Sequence, residues 1–203
     1  MSFSPLDYYL NVYSPSAKDL LEQLRKHDAI TYQHSLQVTD YYVRFCDYWS
    51  LSKMLVPSRV LSVLLHDIGK LQVPKRILQK RSPLTNMEWH ILKGHPRYGT
   101  EILSDHTDIK LEPDVVLYHH ENLDGSGYLY GLQGARLDSC VRILRIIDSY
   151  DAMISARSYG KVFTPGEALE DLRKHGDTHY DADYVDLFEE FIREKSMKKS
   201  LPL

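Results

Sequence analysis

The sequence is poor in cysteine. Only Cys46 and Cys140 occur in 203 residues, far apart and in no metal-binding spacing. That excludes a disulfide scaffold and a thiolate metal site, and it fits a reduced, cytoplasmic protein. No apolar run reaches the roughly 18 residues that a membrane-spanning helix needs. The start, Met1-Ser2-Phe3-Ser4-Pro5, lacks the basic-then-apolar layout of a secretory signal. Positive charge is not in excess either. The formal net charge is −3, which argues against binding a nucleic-acid polymer. A small anionic ligand stays open, because a bound metal can supply local positive charge. The chain has no internal repeat, no low-complexity segment and no convincing strand alternation.

What is present is helical periodicity, so the expected fold class is all-α. Residues 1–29 read as an irregular lead-in and a short helix, capped by Ser16, with Leu20, Leu21 and Leu24 on one face. From about Thr31 to Trp49, Val38, Tyr41, Tyr42, Phe45, Tyr48 and Trp49 recur at three- and four-residue steps. Pro57 opens a nearly all-apolar helix that is expected to carry His66 and Asp67 and to stop at Gly69, with Lys70 at its negative end. Thr85 and Glu88 form a capping box, as do Thr164 and Glu167. His95 precedes Pro96 and so sits at a helix break, facing either a cavity or solvent. A helix from Pro113 ends in His119 and His120, which point about 100° apart. A second apolar helix over 138–156 carries Asp148 on its buried stripe, and Asn122–Tyr128 is a glycine-rich turn between these two. The last helix starts near Asp181 and is expected to turn Glu189 and Glu190 outward. Residues 195–203 read as a basic polar tail.

Seven inward polar residues stand out: His34, His66, Asp67, His95, His119, His120 and Asp148. A single buried histidine is usually bonded to a carbonyl and structural. Seven imidazoles and carboxylates on buried stripes or at helix ends are hard to satisfy without metal. Imidazole and carboxylate without thiolate suit iron, manganese or zinc. Seven candidates are too many for one tetrahedral zinc and suit two metals bridged by a carboxylate.

In order, the chain carries His34-Ser35, His66-Asp67-Ile68-Gly69-Lys70, Leu84-Thr85 with Glu88, His95 with Gly99, and His119-His120-Glu121. Asp124-Gly125-Ser126-Gly127-Tyr128 and Asp148-Ser149-Tyr150-Asp151-Ala152 follow. This set resembles the HD-GYP domain, the branch of the HD phosphohydrolase superfamily that degrades cyclic dinucleotides, and the likeness runs from about His34 to Ile192. It implies an HD-type helical bundle over residues 30–194 with a buried dinuclear site. It also implies metal-ligand roles for His34, His66, Asp67, His95, His119, His120 and Asp148, with Asp67 as the bridge. Lys70 matches the lysine beside the scissile phosphate, Tyr128 the tyrosine of the signature, and Arg157, with Lys161 nearby, a basic segment that contacts ligand phosphate.

Three positions depart from the pattern. Leu129 stands where the signature has proline, which implies a looser loop. Arg157-Ser158-Tyr159-Gly160-Lys161 lacks a proline and has its basic residue one place late. Ile30 lies where members with three metals carry glutamate, which implies two ions, iron or manganese, rather than three.

The implied activity is hydrolysis of cyclic di-GMP to pGpG or GMP by a metal-bridged hydroxide. The alternatives are another HD-type reaction, on a nucleotide monoester or cyclic GMP-AMP, and a catalytically weak cyclic-dinucleotide sensor or adaptor. The 203 residues leave no room for a signal-receiving domain. Any sensory or GGDEF-type partner is therefore expected to be a separate chain in bacterial signalling.

Overall fold

The structure is a computed structural model that describes residues 15–155 and 162–200. Arg157, Gly160 and Lys161, and the lead-in before residue 15, lie outside the described residues. Among the described residues ten α-helices follow one another: α1 Pro15–His27, α2 Ala29–Tyr48, α3 Pro57–Leu64, α4 Lys75–Leu78, α5 Asn86–Lys93, α6 His95–Ser104, α7 Pro113–Tyr118, α8 Ser139–Ile154, α9 Pro165–Lys174 and α10 Ala182–Ser200. A 3₁₀ turn, Ile68–Gln72, links α3 to α4. Among the described residues there is no strand, only an isolated bridge between Gly176 and Tyr180.

The local signals that start helices act as the sequence implies. Both capping boxes form, at Thr85/Glu88 and at Thr164/Glu167. Asp28 caps α2 by accepting from the backbone and the hydroxyl of Thr31. Each cap satisfies backbone N–H groups that a helix end otherwise leaves without partners.

Two hydrophobic cores form. One joins Val38, Tyr42 and Phe45 of α2 to Val60 and Val63 of α3, Leu144 and Ile147 of α8, Leu172 of α9 and Phe188 of α10. The other joins Leu20 and Leu24 of α1 to Leu61 and Leu64 of α3, with Leu65, Ile68, Leu103 and Ile109. The second half of the short helix α3, residues 60–64, therefore packs into both and is buried throughout. α7 also enters both, with Val115 in the first core and Val116 in the second. Both helices end at the seam between the cores, and both end in a polar pair: His66-Asp67 after α3 and His119-His120 after α7.

Several expectations are corrected. His66 and Asp67 are not on the helix that Pro57 opens; α3 stops at Leu64, and they occupy the turn beyond it. His66 N–H bonds back three residues, to Val63 O, so the chain tightens before the 3₁₀ segment. Gly69 is not a helix stop. It lies inside the 3₁₀ turn, where a Cβ would fall 1.9 Å from the carbonyl oxygen of His95 and 2.4 Å from the amide of Gly99. Glycine is needed because two backbones touch there. Of the two settings left open for His95, the structure shows the inward one: it is buried at the break between α5 and α6, which only Gly94 separates. Glu189 does not point outward. It is buried between Arg173 and Arg193, whose guanidinium groups both reach its carboxylate. Beyond residue 195 the backbone stays helical as far as Ser200.

The contact at Gly69 holds the turn bearing His66 and Asp67 against the helix bearing His95. Gly69→Ala is expected to force these backbones apart. The cost should be about 3 kcal/mol, at the upper end for overpacking, with a fall in Tm of roughly 5–10 °C. Thermal unfolding measures it, and an unchanged Tm contradicts the close approach.

Candidate metal centre

The seam between the two cores gathers all seven candidate side chains. Asp67, His95, His119 and His120 each place one ligand-type atom within 4.8 Å of the others, and His34, His66 and Asp67 do the same. Asp67 belongs to both groups. Asp148 joins them from α8: its carboxylate lies 2.9 Å from His34 Nε2, 3.8 Å from His120 Nδ1 and 4.0 Å from His66 Nε2.

The imidazoles are oriented by one repeated device. His66 Nδ1 is 2.7 Å from Val63 O, His95 Nδ1 is 2.8 Å from Leu92 O, and His119 Nδ1 is 2.7 Å from Val116 O. A carbonyl can only accept, so each Nδ1 carries the proton and donates it. In each case the ring folds back on the carbonyl three residues earlier, at or near the end of a helix. The tautomer is thereby fixed, and each neutral ring turns a bare Nε2 lone pair into the seam.

This predicts what the geometry then shows. His95 Nε2 and His119 Nε2 face each other at 3.1 Å, and Asp67 Oδ1 is 3.1 Å from His95 Nε2. His66 Nε2 and Asp67 Oδ1 are buried without a hydrogen-bond partner. Electron-rich atoms aimed at one another in a dry seam repel, unless a cation lies among them or an imidazole takes up a second proton. The residues therefore fit a metal ion. The helix ends also favour cations, since α3 and α7 present their negative poles there.

His34 is held differently. It sits within α2, and its Nδ1 donates to Asp151 of α8 at 2.6 Å. Asp151 is buried three residues after Asp148, on the same face of α8. It orients His34 while Asp148 faces the other ring nitrogen. Sequence reasoning gave Asp151 no role, although the three-residue spacing on a buried helix was a readable signal.

The electrostatics suit ligands. Burial alone would raise the Asp67 carboxyl, but Lys70, whose Nζ lies 2.6 Å away, and the imidazoles of His66 and His95 hold it well below its ordinary value. Burial likewise opposes ionisation of Asp148, and His34 and His120 overcome it. Burial pushes His66, His119 and His120 down, so these rings are neutral at pH 7. Neutral imidazoles and ionised carboxylates are the forms that bind metal.

The signature loop closes one side. Tyr128 stacks on His120 with ring centres 4.7 Å apart, and Lys93 sits over the tyrosine ring. The Glu121 carboxylate is buried and accepts from the amides of Tyr130, Gly131 and Leu132. These three bonds fix the backbone just after Leu129, in a loop that lacks the signature proline. Gly127 is required nearby, since a Cβ would lie 2.5 Å from the carbonyl oxygen of His120. A cavity of about 200 Å³ opens over the cluster and is lined by His34, Lys70, Trp89, Leu92, His95, His120 and Tyr128 among others.

An all-helical bundle that buries a histidine–aspartate cluster at the seam of two cores defines an HD-type domain. The chain belongs to the HD domain family, whose model matches residues 12–184. It is 37% identical over 156 residues to a cyclic di-GMP phosphodiesterase of Pseudomonas aeruginosa, a match covering 76% of this chain and 38% of that protein. It is 36% identical over 144 residues to a 3'3'-cGAMP-specific phosphodiesterase of Vibrio cholerae, covering 68% of this chain and 27% of the relative. The chain thus spans well under half the length of these relatives. In fold it is similar to the HD domain of the L. monocytogenes phosphodiesterase PgpH, solved with cyclic-di-AMP. The TM-score is 0.63 at 18% identity, over 91% of this chain and 99% of that one.

If Asp151 orients His34 for a metal, Asp151→Asn should leave the fold intact and weaken metal binding by about 10- to 100-fold. Metal titration against a competing chelator measures this; wild-type affinity in the variant would remove Asp151 from the site.

Proposed function

We propose that this domain is a metal-dependent phosphodiesterase that hydrolyses cyclic di-GMP to pGpG or GMP. The observation that carries the reading is the convergence of bare Nε2 lone pairs and carboxylates on Asp67, directly beneath a cavity edged by Lys70. In this reading His34, His66, Asp67, His95, His119, His120 and Asp148 hold two divalent ions, iron or manganese, and Asp67 is shared between them. When bound, such a pair lowers the pKa of water and draws charge from a phosphodiester.

The other side chains do the rest. Lys70 rests on Asp67 at the cavity edge, so its ammonium can meet a non-bridging phosphate oxygen as negative charge grows there. Asp151 keeps the His34 ring fixed. Tyr128, packed on His120, walls one side against water. Arg157 and Lys161 are proposed to contact substrate phosphate. Residues 30–194 are proposed as the catalytic unit. Sensory input is proposed to come from a separate chain or from sequence beyond these residues.

Cyclic GMP-AMP is the second substrate to test, because one relative is named for it. Cyclic di-GMP is put first on the name of the Pseudomonas aeruginosa relative. Steady-state turnover of each, with manganese or ferrous iron supplied, decides between them. Binding of both without turnover of either would favour a sensor.

Two kinds of variant test the assigned roles. His66→Ala and Asp67→Ala are expected to lose both bound metal and hydrolysis, and turnover with no bound metal would refute the mechanism. Lys70→Ala should keep its metal and lose about 10²- to 10³-fold in kcat; an unaltered kcat would take Lys70 out of the chemistry.

A further inference from the structure

The chain has two tryptophans, and they are placed in opposite ways. Trp49 packs edge-on against Tyr48 and donates its indole N–H to Leu187 O. Trp89 is 42% exposed and lines the cavity over the metal centre. Among the described residues its ring meets no other aromatic ring, and its N–H meets no protein acceptor. Trp89 shares the cavity wall with Ile30, Leu78 and Leu92, and a contiguous apolar patch of this kind beside a polar cluster marks a ligand-binding groove.

Its position is fixed. Trp89 follows Glu88, whose carboxylate is gripped by Lys80 and by the backbone and hydroxyl of Thr85. The start of α5 is therefore clamped. Trp89, Leu92 and His95 recur at three-residue steps, and all three line the same cavity. Trp89 and Leu92 lie about one turn apart on α5, and His95 opens α6 just beyond Gly94, so the indole and a metal-site imidazole border one cavity with Leu92 between them in sequence. Ile30 and Leu78 also line the cavity and add hydrocarbon to its wall. Across the cavity, Tyr128 is already packed between His120 and Lys93.

We propose that Trp89 is the stacking platform for the purine base attached to the phosphate at the metal centre. This rests on the phosphodiesterase reading and adds a base-binding subsite to it. Every purine has a π-face, so stacking on an indole gives affinity without distinguishing guanine from adenine. Trp89 should therefore act alike on cyclic di-GMP and cyclic GMP-AMP, and discrimination between them must come from other groups. Because the contact exists before and during reaction, it should lower KM and leave kcat alone.

The test has two readouts on the metal-loaded protein. In steady-state kinetics, Trp89→Ala is expected to raise KM for both cyclic dinucleotides by about 10- to 100-fold, with kcat within a factor of two and metal content unchanged. Trp89→Phe should recover part of the loss. The second readout does not need turnover. Cyclic di-GMP should quench wild-type tryptophan fluorescence, and the quench should vanish in Trp89→Phe, where Trp49 alone emits. Equal KM values in wild type and Trp89→Ala overturn the proposal, and so does a quench that survives in Trp89→Phe. If wild type hydrolyses neither nucleotide, the phosphodiesterase reading fails by itself. The fluorescence then decides the subsite: a Trp89-dependent quench upholds it, and no quench with saturating cyclic di-GMP overturns it.

Discussion

The metal centre depends on where three protons sit. His66, His95 and His119 each commit their Nδ1 proton to a backbone carbonyl three residues upstream. Everything else about the site follows from that commitment. It leaves three Nε2 lone pairs with one direction to face and fixes three ring planes against backbone rather than against mobile side chains. An imidazole tied in this way has a fixed tautomer and a more electron-rich Nε2, which makes it a good ligand. The arrangement is also costly on its own, because it collects lone pairs and two carboxylates in a place from which water is excluded. Lys70 offsets part of that cost at Asp67. A cation among the ligand atoms removes the remainder.

The fold supplies helix ends at one place. A helix with one apolar stripe lies on the surface of a core, and its ends come out at solvent. α3 and α7 each put residues into both cores, so their C-terminal ends come out inside the molecule, at the junction of the two cores. α8 brings Asp148 and Asp151 to the same junction from one side, and α2 brings His34. Gly69 allows the turn after α3 to touch the backbone of α6, and this draws His95 in. The tightness of that contact and the compactness of the cluster are one property.

Much of this could be read from the sequence, and the limits have physical causes. Caps and amphipathic stripes are local, so both capping boxes and the all-helical fold follow from residues a few positions apart. The seven candidate side chains were identifiable because polar residues on apolar stripes conflict with burial unless something binds them. Positions set by tertiary contacts were not legible. Gly69 looks like a helix stop in sequence, and only the nearness of His95 shows that it is a backbone crossing. Glu189 falls on the polar side by period, yet Arg173, from a different helix, makes its burial tolerable. Asp151 was hidden for another reason: beside a stronger candidate three residues earlier, its partner His34 can be named only once α2 and α8 are seen to pack. The basic segment with Arg157 and Lys161 lies outside the described residues, and its proposed role rests on the sequence alone.

Ile30 shows how one substitution can act on both halves of such a site. It stands one helical turn before His34, on the cavity side, 46% exposed. A glutamate there would add an anionic oxygen beside His34 and Asp148 and favour a further cation. An isoleucine adds no ligand. It also lines two adjoining cavities with hydrocarbon, one over the metal cluster and one bordered by Gln33, Gln37, Asp151 and Ser155. A cyclic dinucleotide has two phosphates but presents only one to the metals at a time, so its other half must rest on the walls. The isoleucine side chain makes the mouth of the cavity better suited to a flat base than to a bare phosphate.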